Sequence, residues 1–410
     1  MISPELCIRC KGKLLCGLSY CQILRKYGEQ SRVVAEIKGN RFTGSSPPSI
    51  FVSWGNYPNV QIAPLSPTTV MDSSLFDSPE KWFGLPPEQI VSFREQLLRS
   101  NKRINVNAAS KPSYDLFEMQ QLVMAAKPTA IDVQLERKPV PFLSFHESVA
   151  PLGPSAPLVE MHLEENPKIN RKVDKAVADT DLKANDALFF LYDAGFPIST
   201  LQKLLSAGTL GIGKNRKFVP TRWSIVATDS NISQHLVEEK VKQHQQISEF
   251  QLFHSNYLDN DFWVLLAPSV WGFEQLECWL PGATWAQNAK EASITQDHEF
   301  FEGRKDYASN VEGAYYSARL AVAEHLAAKK RQAAAIVFRE IGEGYSIPLG
   351  VWQIRENVRN ALQQKPISFS SLPLALSFLS KKLRIPIRRY KKESALLDRL
   401  LHQRTLPQFS

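Results

Sequence analysis

Cys7, Cys10, Cys16 and Cys21 crowd four thiols into one short stretch, with Gly17 available for a tight turn. Thiolates so close in sequence can surround one zinc ion tetrahedrally, so a small zinc knuckle over residues 1–30 is the expectation. An iron–sulfur cluster takes the same four thiolates, and free buried cysteines are the third alternative; the spacing leaves all three open. With every coordination position filled by protein, the site reads as structural rather than catalytic. Arg9, Lys11 and Lys13 interleave with the thiols, either as a solvated charged surface or as a contact for phosphate. Cys278, between Glu277 and Trp279, reads as a packed core thiol.

The last residues, Gln403-Arg404-Thr405-Leu406-Pro407-Gln408-Phe409-Ser410, carry a second chemistry. One tight helical turn places Leu406 and Phe409 on the same side as a hydrophobic plug, and leaves Gln403 to hydrogen-bond into an adjacent pocket. The segment resembles a sliding-clamp-binding box, the motif that docks on PCNA, with Ser410 where a second aromatic is usual. A frayed polar tail is the plain alternative.

Gly208 to Lys217 (GTLGIGKNRK) leads into Val219-Pro220-Thr221-Arg222-Trp223. Gly211, Gly213, Lys214, Arg216, Lys217 and Arg222 could form a nest for a phosphate, with an adenine nucleotide as the small-molecule candidate. The glycine spacing matches neither the Walker pattern nor the dinucleotide fingerprint, and an ordinary basic turn is the alternative. Glu274 and Glu277 share a face if their segment is helical and lie on opposite faces if it is extended, so a paired-carboxylate role hangs on conformation. His146, in Phe145-His146-Glu147, is the remaining acid–base candidate, against a reading as a surface histidine. Arg355-Glu356 reads as helix surface or a helix-to-body ion pair.

The elements that must position these groups are mixed. Pro86 to Ser100 reads as an amphipathic helix with Ile90, Phe93 and Leu97 on one face. The first 60 residues read as strands and loops. Arg137 to Asn166 is proline-rich and without period, and reads as a connection. Lys168 to Leu205 reads as helical, broken at Gly195-Phe196-Pro197. Arg222 to Thr228 is strand-like, Ser233 to Gln246 helical, and Phe250 to Pro268 strand-rich. A long helix over Val311 to Gln332 precedes a buried strand, Ala334 to Ile341. Helices follow over Gly350–Leu362, Leu372–Lys382 and Glu393–His402. The fold class expected is therefore α+β, with a helical C-terminal region ending in a flexible tail. The expected units are 1–30, 31–136, the connection 137–169, 170–345, the helical region 346–402 and the tail 403–410.

The 410 residues, 43% of them hydrophobic, suffice for a sizeable core, and with 22% charged and 10% aromatic residues disorder is expected only in tails and loops. The net charge of +8 suits a polyanionic partner. The excess is local: Lys381, Lys382, Arg384, Arg388, Arg389, Lys391 and Lys392 fall together without an acid. They are the candidates for contacts to a DNA backbone. Met1 to Cys7 has neither a basic n-region nor an apolar h-region, so a signal peptide is not expected, and no apolar run approaches the ~20 residues a membrane span needs. Clustered rather than dispersed cysteines fit a reducing cytoplasm.

Several blocks together resemble the Nre family of archaeal DNA repair proteins. The carriers are the cysteine knuckle, Gly55-Asn56-Tyr57-Pro58-Asn59-Val60, Ser78-Pro79-Glu80-Lys81-Trp82, Pro151-Leu152-Gly153-Pro154, Arg216 to Ser224 (RKFVPTRWS), Trp271 to Trp279, Pro348 to Glu356 and the terminal box. The resemblance implies DNA repair, zinc at Cys7, Cys10, Cys16 and Cys21, and a sliding clamp held by Gln403, Leu406 and Phe409. It implies no reaction. The rival expectation is a nucleotide- or phosphodiester-processing enzyme built around residues 211–222, with Glu274, Glu277 or His146 as acid–base groups.

Overall fold

The computed structural model describes residues 13, 15, 30–141, 152–283, 286, 289–345 and 347–402. The chain divides into two compact units, Met1–Thr228 and Asp229–Ser410. Both are α+β, as expected. Among the described residues no helix is long and apolar enough to cross a membrane.

The first unit is built on a six-stranded mixed sheet of order β1-β5-β6-β4-β3-β2. Its strands are β1 (Arg41–Ser46), β2 (Ile50–Val52), β3 (Asn59–Ser66), β4 (Leu98–Asn105), β5 (Thr129–Leu135) and β6 (Ser155–Leu163). Residues 30–36 are helical, where strand and loop were expected. Helix α1 (Pro87–Glu95) starts on a proline, which costs nothing where the first amides lack partners anyway. The expected helix stops there: Leu98, Arg99 and Ser100 already belong to β4, because Leu97 and Leu98 are both buried and an extended chain can bury neighbours on opposite faces. β6 lies inside the segment expected as a connection. It pairs antiparallel with β5 and parallel with β4, and the prolines that mask its period, Pro154 and Pro157, sit at its entry and on its partly paired stretch.

Helix α2 (Tyr114–Met124) and helices α3 (Arg171–Ala178), α4 (Ala184–Asp193) and α5 (Ile198–Ser206) complete the first unit. Gly195, at φ +85°, ends α4, and Pro197 caps α5. Helix α6 (Thr221–Leu236) overturns the strand-like reading of Arg222 to Thr228. The β-branched Ile225, Val226 and Thr228 favour strand locally, but the buried face is Ser224, Thr228, Asp229, Ile232, Ser233 and Leu236. That spacing is helical, yet mostly polar, so hydrophobic periodicity could not display it.

The second unit carries a sheet of order β10-β9-β11-β8-β7-β12. Its strands are β7 (Phe250–Tyr257), β8 (Asn260–Ala267), β9 (Gly272–Trp279), β10 (Ser293–Glu299), β11 (Ala334–Ile341) and β12 (Ile367–Phe369). Every residue of β8 and of β11 is buried, the mark of strands covered on both faces. Helices α7 (Gly313–Lys329) and α8 (Trp352–Gln363) pack together, and α8 lies against β7 and β8. On the opposite face Trp263, Leu265, Leu276, Cys278, Ile336 and Phe338 pack with α9 (Leu372–Leu379), α10 (Ile387–Glu393) and α11 (Ala395–His402). Cys278 is a buried core thiol, pushed up to about 11 by burial.

Candidate nucleic-acid interface

The glycine-rich loop after α5 is rooted at Gly208, φ +64°. A Cβ there would meet the Lys217 carbonyl oxygen at 2.6 Å and Ala109 Cβ at 2.7 Å. Only glycine permits that backbone conformation together with so close an approach. The Arg216 guanidinium turns inward, donating to the carbonyls of Gly211 (2.8 Å) and Val177 (2.6 Å). The Gly213 amide donates to Thr180 O, and those of Asn215 and Arg216 to Ile212 O and Gly213 O. Arg216 and Gly213 thus hold the loop's shape, with those amides directed at carbonyls. Lys214, Lys217 and Arg222 are exposed.

Backbone hydrogen bonds carry this loop to the turn between β2 and β3. The Phe218 amide donates to Val106 O and the Val106 amide to Pro58 O, each at 2.9 Å. The Val52 amide, at the end of β2, donates to Thr221 Oγ1 at 2.9 Å. The Tyr57 and Trp223 rings meet with centroids 5.1 Å apart. Two blocks far apart in sequence, 55–60 and 216–224, therefore form one surface. Trp54, Tyr57 and Trp223 remain 59%, 46% and 44% exposed. The adjoining strand ends present Asn59 opposite Asn105 and Gln61 opposite Arg103, all four exposed. These aromatics were missed in sequence as site residues. The signal for Trp54 and Tyr57 was large rings in a glycine- and asparagine-containing turn, where no hydrophobic period calls for them; Trp223, in the first turn of α6, carried no such signal.

The C-terminal basic segment is pinned by Glu340. This carboxylate accepts from the amides of Arg384 (2.8 Å) and Ile385 (3.2 Å) and from the buried Tyr390 hydroxyl (2.9 Å). Arg384 pairs with Asp259 at 2.8 Å, and Arg389 donates to Ala292 O at 2.5 Å. Lys381, Lys382, Arg388, Lys391 and Lys392 are exposed, and none makes an ion pair with a described residue. Between α9 and α10 the segment lines an open recess of about 460 Å³, bounded by Ser380, Leu383, Arg384, Ile385, Pro386 and Arg388.

Glu274 and Glu277 stand on β9, which is extended, so they face opposite sides of the sheet. Glu274 accepts from the Ser394 hydroxyl and from the amides of Ala395 (2.8 Å) and Leu396 (3.3 Å), capping α11. Burial pushes it up to about 7 in spite of those donors. Glu277 binds Arg339 at 2.5 Å and accepts from Gln275 at 3.1 Å. Of the two expectations for Arg355, the helix-to-body ion pair is the one realised: it is buried and grips Asp229 with two contacts of 2.7 Å. Cys7, Cys10, Cys16 and Cys21, His146, and Gln403, Leu406 and Phe409 lie outside the described residues. Among the described residues no cluster of His, Cys, Asp and Glu is disposed to hold a metal ion.

Residues 15–286 match the model of the archaeal Nre N-terminal region, and residues 299–409 that of the archaeal Nre C-terminal region. The chain belongs to the Nre family. It is 38% identical to DNA repair protein NreB of Archaeoglobus fulgidus, over 98% of this chain and 99% of that one. It is 40% identical to DNA repair protein NreA of the same organism, over 92% and 93%. DNA repair protein NreA of Haloferax volcanii is 33% identical over 90% and 89%. No solved structure is significantly similar.

Proposed function

We propose that this protein is a DNA repair factor of the cytoplasm, tethered to a sliding clamp (PCNA) and touching the DNA backbone through its C-terminal basic segment. The observation that carries the reading is near full-length similarity to proteins named for DNA repair. The exposed Lys381, Lys382, Arg388, Lys391 and Lys392 supply backbone contacts that are independent of base sequence and sensitive to salt. A clamp held through Gln403, Leu406 and Phe409 raises the local concentration at DNA, so modest intrinsic affinity suffices. Cys7, Cys10, Cys16 and Cys21 hold a structural zinc ion. Glu274 and Glu277 carry structural hydrogen bonds on opposite faces of β9, which favours this reading over a nucleotide- or phosphodiester-processing enzyme.

The test is calorimetry of the full chain with the clamp, alongside metal analysis of the same preparation. Phe409→Ala should abolish clamp binding, and full affinity in that variant sinks the tether. The wild type should hold about one zinc per chain, and Cys10→Ser should release it. Unchanged zinc content in the variant removes the metal from the reading.

A further inference from the structure

Three stretches of the first unit contain no aspartate or glutamate: 37–71, 96–114 and 194–228. Within them lie Arg99, Lys102, Arg103, Lys111, Lys214 and Lys217, along with Arg222. The fold gathers all three stretches at one place. Val106 bonds to Pro58, Phe218 to Val106, and Val52 to Thr221, and Gly208 lets the Lys217 backbone close on Ala109. Asp115 pairs with Lys102 and offsets that one cation, and the Asp179 carboxylate accepts from the amides of Asp181 and Leu182. The result is a surface whose local charge is positive and whose centre is aromatic.

Exposed tryptophan and tyrosine rings cost hydrophobic free energy that burial would recover, so their clustering calls for a covering group. Tyr57 and Trp223 touch, and Trp54 stands in the same turn, at 59% exposure. The turn is held in place: Asn59 N donates to Asn56 O and Ser53 N to Gln61 O, both at 2.8 Å. Rigid rings lose little entropy when a flat ligand stacks on them. Flat, apolar faces joined by a negative backbone are what a single strand of nucleic acid offers. Rings with cations beside them are how proteins hold such strands without reading their sequence. Amide side chains at Asn59, Gln61 and Asn105 add hydrogen-bond partners for base edges or sugars. A duplex hides its base faces inside the stack and gains nothing from the rings.

We infer that Trp54, Tyr57 and Trp223, framed by Arg103, Lys217 and Arg222, form a stacking platform for the unpaired bases of single-stranded DNA. The inference rests on the DNA repair reading for its choice of DNA, and it assigns to the first unit a strand contact distinct from the basic segment of the second. A repair factor needs such a platform wherever lesions or their processing leave bases unpaired.

The experiment is fluorescence anisotropy of the full chain with labelled oligothymidylate of about 15 nucleotides, the matching duplex and oligouridylate. Trp223→Ala and Tyr57→Ala should each weaken oligothymidylate binding roughly ten-fold and leave duplex binding unchanged. Trp223→Phe keeps a stacking face and should retain most of the affinity, which separates stacking from misfolding. The Lys391→Ala/Lys392→Ala variant should show the opposite pattern, losing duplex affinity first. Unchanged oligothymidylate affinity in both aromatic variants overturns the platform, while a duplex loss in the lysine variant would still uphold the backbone contact. If the wild type prefers oligouridylate, and loses it in the same variants, the assignment to DNA is overturned in favour of RNA.

Discussion

Cations packed into the second unit's interior and cations around the Tyr57–Trp223 pair have different fates. In the second unit arginines are held by carboxylates within the fold: Arg355 by Asp229, Arg319 by Glu299, Arg339 by Glu277, Arg304 by Asp297, Arg359 by Glu324 and Glu356. Arg355, Arg319 and Arg339 are buried. Around Tyr57 and Trp223 in the first unit, Arg103 and Lys217 are exposed in stretches of chain that supply no carboxylate. The contrast teaches that net charge alone says little about binding. A buried cation must be neutralised by its own fold, because leaving it unpaired costs several kcal/mol, whereas an exposed one keeps its water and its availability. The first unit also has a buried arrangement of the former kind, in which Arg94 and Lys203 overcome burial and hold Asp77 down at about 2.

The comparison breaks most visibly at Asp229. Asp229→Ala removes the partner of a buried guanidinium and the acceptor of the Ser317 hydroxyl at 2.7 Å. A loss of about 3–5 kcal/mol in unfolding free energy is expected by chemical denaturation. A loss below about 1 kcal/mol would mean that the interior cations do not depend on their carboxylates.

Glu274 gives the next effect. Its folded value of about 7 lies above the ordinary 4.5, so the fold favours the protonated form. Its contribution is complete below pH 4.5 and is lost as pH rises through about 7, a slope worth on the order of 3 kcal/mol. Glu274→Gln should flatten that part of the stability–pH curve. An identical slope in the variant would place the titration on another group.

The smallest effect on stability belongs to the exposed cations. Lys391→Ala/Lys392→Ala should shift unfolding by no more than about 0.5 kcal/mol. The same change should make the logarithmic dependence of duplex affinity on salt shallower by about 2. An unchanged salt slope would remove these lysines from the backbone contact.

Much of the second unit was legible from residues alone. Continuous apolar runs announced β8 and β11, because strands covered on both faces need no polar alternation. The long alanine-rich segment announced α7. α6 was not legible, because its buried face is made of Ser224, Thr228, Asp229 and Ser233, which become interior only once their hydrogen bonds exist. Nor was β6, whose prolines and partners lie in separate parts of the chain.

The same division runs through the candidate site. Sequence by itself determined the inventory: an acid-free set of cations, the rings of Trp54, Tyr57 and Trp223, a basic C-terminal segment and membership of a family. It also marked Gly208 to Lys217 as a loop, since repeated glycine admits backbone conformations that other residues resist. Tertiary structure decided which cations remained available. It turned Arg216 inward onto carbonyls, tied Arg384 to Asp259, and separated Glu274 from Glu277 across the sheet. It also brought Tyr57 to Trp223, residues 166 positions apart, at 5.1 Å. Contacts of that kind come from long-range hydrogen bonds, the Val52 amide to the Thr221 hydroxyl and the Val106 amide to the Pro58 carbonyl, and no local spacing encodes them.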